Sequence, residues 1–214
     1  MVGGIMDLGS LVDPAATVLV TMEVQKGIIG DGSGFKELND AAKHAGVLEN
    51  GPRLCTAARS TGIRVIHAVA VNRGDYAGST VNCRMLAASQ TMNEKGMGII
   101  EGTEGAEIVE TFGPDDKDII VPRFHGLTPF TSTSLDQTIR NLGAKTIVAV
   151  GVSINIGILG LAMSAVDLGY QVVIPTDAVA GVPLEYGETV MEGTLSLLAT
   201  LTSTDALIGV WEEN

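Results

Sequence analysis

Positive charge is scarce in this chain. Lysine and arginine number 13 against 25 aspartates and glutamates in 214 residues, a formal net charge of -12. No basic patch is left over to neutralise phosphates, which excludes general nucleic-acid binding. It also excludes attraction to an anionic membrane surface. Cysteine is scarcer still, with only Cys55 and Cys83. Two thiols make no disulfide framework, and their spacing matches no metal motif. The histidines His44, His67 and His125 lie too far apart to suggest a metal cluster, so no metal is expected. No apolar run is long enough to span a bilayer. The opening "MVGGIMDLGSLVDPAA" lacks the basic start and apolar run of a signal peptide. A cytoplasmic location is expected. No G-x-G-x-x-G or P-loop pattern follows a strand, so no nucleotide or other cofactor is implied.

Aromatic residues make up only 4% of the chain, yet hydrophobic residues make up 45% and charged residues 18%. The chain is therefore globular, with a core of Ala, Val, Ile and Leu. Its length suits one domain, 1–214. Strand and helix signals alternate. Thr17 to Gln25, Ile63 to Val71, Asp118 to Phe124, "TIVAVGV" and "YQVVIPTD" read as strands. A helix opens at Asn50 with Pro52 in its first turn and ends at Gly62. Another opens at a capping box of Thr133 and Asp136 and ends at Gly143. "ETVMEGTLSLLATL" reads as a late helix, and "TSTDALIGVW" as a short final element. Near-continuous apolar strands separated by helices indicate a parallel sheet covered on both faces. The stretch 73–110 reads as a long loop with a short helix near Val81 to Ser89, of the kind that caps a site.

The run Gly151-Val-Ser-Ile-Asn-Ile-Gly157, between a strand and a buried helix, resembles the nucleophile turn of the isochorismatase-like (cysteine hydrolase) superfamily, typically G-V-x-T-N-x-C. The "DAVAG" after the fifth strand and "FTSTSLD" (Phe130 to Asp136) are similar to further family segments. The resemblance covers roughly Leu11 to Gly181. It implies a three-layer α/β/α fold around a mostly parallel six-stranded sheet of order 3-2-1-4-5-6. It also implies a non-proline cis peptide at Val152-Ser153. The family triad of aspartate, lysine and cysteine falls on Glu23, Val121 and Gly157. A glycine offers no nucleophile, so the usual covalent chemistry has no starting group. True isochorismatases are similar in lacking the cysteine, and they hydrolyse an enol ether without a covalent intermediate.

In such a sheet, ligands collect at the carboxyl ends of the strands, where strand order reverses. The candidates there are Glu23 and Gln25, His67, Arg123 and His125, the turn from Ser153 through Asn155 to Gly157, and Asp177. Valine in place of lysine removes a cation and dries the site. Both changes favour a protonated Glu23, which suits a general acid or proton shuttle. His125, in a Gly- and Pro-shaped loop, is the second proton-transfer candidate. Gln25, His67, Arg123, Ser153, Asn155 and Gly157 are expected to bind substrate. His44 reads as a surface residue. The expected function is hydrolysis of a small organic molecule, an enol ether among the candidates, by general-acid chemistry. The alternative is a catalytically inactive member acting in binding or assembly. The helix after Asn155 is apolar all round, which predicts burial against a second subunit in a dimer or tetramer.

Overall fold

The structure, a computed structural model, describes residues 7–213. Residues 1–6 and 214 of the expected domain lie outside the described residues. A short helix α1 (Leu8–Leu11) leads into β1 (Thr17–Met22). Three helices follow: α2 (Lys26–Ile29), α3 (Lys36–His44) and α4 (Val47–Ser60). Then come β2 (Arg64–Ala70), α5 (Arg84–Glu94), β3 (Ile119–Arg123) and α6 (Leu135–Asn141). β4 (Thr146–Val152) runs into a wide helical turn, Ile154–Ile158, that continues as α7 (Leu159–Asp167). The chain closes with β5 (Gln171–Pro175), β6 (Val179–Ala180), α8 (Leu184–Val190), α9 (Ser196–Leu198), β7 (Thr200–Thr202) and α10 (Thr204–Glu213).

The strands pair in parallel in the order β3-β2-β1-β4-β5-β7, and β6 pairs with β4 off this path. Six strands thus follow the expected 3-2-1-4-5-6 path, with β7 in the last place and β6 as a short addition. Strands β1 and β4 are buried at every position, which explains their near-continuous apolar runs, rich in β-branched residues. Their alternating side chains feed two cores. On one face Leu19, Val65, Val148 and Val150 pack with Leu54 of α4 and Leu207 and Trp211 of α10. On the other face Val20, Ile66, Ile147 and Ala149 pack with Ile139 of α6, Leu161 of α7 and Leu195.

Several boundaries differ from the sequence reading, each for a local reason. β1 stops at Met22 because Glu23 takes a left-handed backbone, φ 55°. α4 begins at Val47, and Asn50 bonds the carbonyl oxygen of Asp177 from inside it. The Thr133–Asp136 capping box does not form. Thr133 accepts from the amide of Leu135, while Asp136 takes the Tyr170 hydroxyl and Arg140. The short helix expected near 81–89 is α5, set three residues later. The late helix is interrupted, and its last residues become β7. The final element is mostly α10. α7 is not enclosed on all sides within the chain, since Met163 and Val166 are exposed.

Candidate active site

A cavity of about 480 Å³ opens at the carboxyl ends of β1, β2, β3 and β4. Its strand-end lining is Glu23 after β1, Asn72 after β2, Arg123 and His125 at the end of β3, and Ser153, Asn155 and Gly157 after β4; Lys36, Glu37 and Ser89 add polar groups from the helices. The remaining wall is mostly apolar and comes from α2, the segment leading into α3, and α5.

Glu23 is placed by its backbone. Its amide still donates to the carbonyl oxygen of Ala68, 2.9 Å. The left-handed φ then swings the side chain off the path of the strand. A non-glycine residue in this region is uncommon and marks a functional position more often than chance. The carboxylate accepts from Nη2 of Arg123, a charge-assisted hydrogen bond across the cavity. The Arg123 side chain is 5% exposed and that of Glu23 is 19% exposed. The carboxylate is therefore the partner that faces the open space. Arg123 also donates through Nε to the carbonyl oxygen of Gly126, 2.9 Å. Its Nη1 is sealed from solvent without a partner, as is Oδ1 of Asn155.

The turn after β4 starts at a cis peptide between Val152 and Ser153. The carbonyl oxygen of Ser153 accepts from the amides of Ile156 and Ile158, 3.2 and 2.9 Å, which opens the first helical turn wide. Asn155 Nδ2 donates to the carbonyl oxygen of Val182, 3.3 Å. Gly157 is buried, and a Cβ there would meet the carbonyl oxygen of Val152 at 2.8 Å and Cε of Met22 at 3.0 Å. Val121 is buried in the core beneath the cavity and does not line it.

His125 lines the cavity and accepts at Nδ1 from the amide of Thr80, 3.4 Å. Ser79 donates to the carbonyl oxygen of Phe124, 2.5 Å. These two bonds tie the loop before α5 to the end of β3.

Two expected substrate-binding residues do not reach the cavity. Gln25 is fully buried and clamps backbone, donating to Ala70 and Ala106 carbonyl oxygens (2.8 and 3.0 Å) and accepting from the Ala70 amide (2.8 Å). His67 is fully buried in the middle of β2, short of the strand's carboxyl end. Its Nδ1 meets the Thr21 hydroxyl at 2.7 Å and its Nε2 meets Asp118 at 3.1 Å. Asp118 is also held by Arg59 and the amide of Asp115. Asp177 caps α10, accepting from the amide and hydroxyl of Thr204. The cavity residues that sequence reading missed are polar ones, Lys36, Glu37, Asn72 and Ser89, and apolar ones such as Ile28, Phe35, Leu38, Leu86 and Ile99. They sit in short helices and connections whose hydrophobic pattern is too brief to assign a face. Among the described residues, no group of three or more His, Cys, Asp and Glu is placed to hold a metal ion. No helix among them is long and apolar enough to cross a membrane.

The isochorismatase domain family matches residues 17–206. A ureidoacrylate amidohydrolase RutB of Acinetobacter baylyi is 27% identical over 216 residues, covering 94% of this chain and 86% of that protein. Among solved structures, a cysteine hydrolase from Pseudomonas syringae superposes with a TM-score of 0.79 at 20% identity, covering 100% of this chain and 99% of the other. An isochorismatase family protein from Desulfovibrio vulgaris gives 0.76 at 24% identity, with 92% and 98% covered. At these identities the structural likenesses establish the fold.

Proposed function

The chain belongs to the isochorismatase family of hydrolases, and from that premise we propose that it hydrolyses a small organic molecule without a covalent enzyme intermediate. Glu23 moves the proton. The observation that carries this reading is the Glu23 side chain, bonded to Arg123 on one side and open to the cavity on the other. Gly157, which we read as the family's nucleophile position, supplies no attacking atom. Water must then attack directly, and it needs a base.

The pairing with Arg123 sets the order of proton transfers. Arg123 donates to one side of the Glu23 carboxylate and leaves the other side to the cavity, where a water can reach it. Glu23 therefore first takes a proton from water as hydroxide adds to an electrophilic carbon. It then acts as general acid and returns that proton to the leaving atom. This order suits attack on a polarised carbon better than initial protonation of an enol ether. Ser153, Asn155 and Gly157, on the turn after β4, bind the polar end of the substrate beside Arg123. His125 is the second proton-transfer group. We further propose a homo-oligomer, because Met163, Val166, Leu184, Tyr186 and Leu197 leave apolar surface exposed around α7 and α8.

A screen of amides, esters and enol ethers tests the reading, followed by Glu23→Gln on any substrate found. Turnover should fall about 100-fold or more, within the range for a lost proton-transfer group. Unchanged turnover excludes the role. A second reading is a catalytically inactive binding member. It is favoured by Met22 filling the space behind Gly157. It predicts ligand binding with no turnover in the same screen.

A further inference from the structure

The charged groups around the cavity cancel. Glu23 faces Arg123, and Lys36 and Glu37 stand together, exposed, at the start of α3. Arg123 commits Nε to Gly126 and Nη2 to Glu23 inside the protein. Its Nη1 has no partner but is sealed from solvent, and Glu23 balances its charge, so little cationic capacity remains for a ligand carboxylate. The chain as a whole carries -12, which repels anions at long range. An ammonium group would find Glu23 already paired.

The rest of the wall is mostly apolar, with Asn72, Ser89, His125, Ser153 and Asn155 as its polar members, and comes from separate parts of the chain. Ile28 stands on α2, Leu38 on α3, Leu86 on α5, with Phe35, Ile99 and Val182 on connections. Four stretches of the chain, 28–38, 86, 99 and 182, turn apolar side chains toward one space. A volume of about 480 Å³ is in the range that encloses a small organic molecule. It is far larger than a proton-transfer pair requires.

We infer that the ligand is a neutral amphiphile. An uncharged hydrogen-bonding head sits at the Glu23–Arg123 end, and an apolar body lies along Ile28, Leu38, Leu86 and Ile99. The inference rests on the proposed reading that this cavity is the reaction site, and it adds the class of molecule. A charged head would lose its hydration and gain no free counter-charge. An apolar body would leave water for a wall made mostly of apolar side chains.

Calorimetric titration of the wild-type protein with straight-chain primary amides, from acetamide to octanamide, tests this. Carboxylates and amines of equal length form the comparison arms. The amides should tighten about fourfold per added methylene until the cavity is filled. The charged series should bind roughly tenfold more weakly or worse at each length. Leu86→Gln, at a half-buried wall position, should flatten the length dependence while the thermal midpoint reports that it is folded. Equal or tighter binding of either charged series overturns the inference. So does binding without length dependence, or no binding by any member. Titration needs no turnover. Amphiphile binding without hydrolysis therefore counts against the hydrolase reading alone, and hydrolysis of a charged substrate counts against this inference alone.

Discussion

Met22 lies against Gly157 so closely that any side chain at 157 would meet it, with Cε at 3.0 Å and Cγ at 3.2 Å from the place of a Cβ. Met22 is fully buried at the end of β1, one residue before Glu23. The volume that a residue at 157 would need is thus already taken by the neighbouring strand. Gly157→Cys should destabilise the fold by about 1–3 kcal/mol, the usual cost of overpacking a filled core. Met22→Val removes the terminal part of the obstacle but not the carbonyl oxygen of Val152. The double variant should therefore be more stable than the sum of the singles predicts, by about 0.5 kcal/mol or more. Urea denaturation of the four proteins measures this coupling. Additive effects would mean that the two positions are independent.

Glu23 and Arg123 form the next prediction. Both side chains are largely out of water, so removing one leaves the other's charge without its partner. Glu23→Leu and Arg123→Met should each cost about 3 kcal/mol, and the double variant should cost clearly less than their sum. Glu23→Gln keeps an acceptor facing the guanidinium and should cost less than Glu23→Leu. That makes it the better control for activity. Equal losses for Gln and Leu would show that the hydrogen bond contributes little.

Much of this fold was legible in the sequence because burial on both faces writes a plain signal. β1 and β4 read as near-continuous apolar runs, and the glycines at 151 and 157 bracket the turn that β4 feeds. The site was only half legible. Glu23, Arg123, His125, Ser153, Asn155 and Gly157 all line the cavity. His67 does not, because it sits three residues short of the end of β2, where Ala70, Val71 and Asn72 line the cavity. Gln25 follows the left-handed turn at Glu23, which rotates it into backbone contacts.

The two cysteines should differ in reactivity. Cys55 is buried in α4, and burial pushes its thiol up to about 12. Cys83 is exposed just before α5. A thiol reagent that needs the thiolate should label one group in the native protein and both in denaturant. Rapid labelling of both under native conditions would mean that α4 opens readily.

The buried trio Thr21, His67 and Asp118 should make stability depend on pH. Burial holds the His67 imidazole below its ordinary value of 6.5, against the opposing pull of the Asp118 hydrogen bond. The neutral ring fits the geometry, accepting from Thr21 at Nδ1 and donating to Asp118 from Nε2. Burial pushes the Asp118 carboxyl up, but bonds from Arg59, the Asp115 amide and His67 together hold it below 3.8. As pH falls below 6.5, the unfolded chain takes a proton at His67 before the folded chain does. Stability present at neutral pH is therefore lost across that interval, with a slope of at most about 1.4 kcal/mol per pH unit from this group. The contribution of Asp118 is lost only below 3.8. Urea denaturation between pH 7.5 and 5.0 should show the wild-type protein losing stability faster than His67→Gln. Parallel curves would mean that His67 titrates alike in both states, and that its burial between Thr21 and Asp118 has no bearing on acid sensitivity.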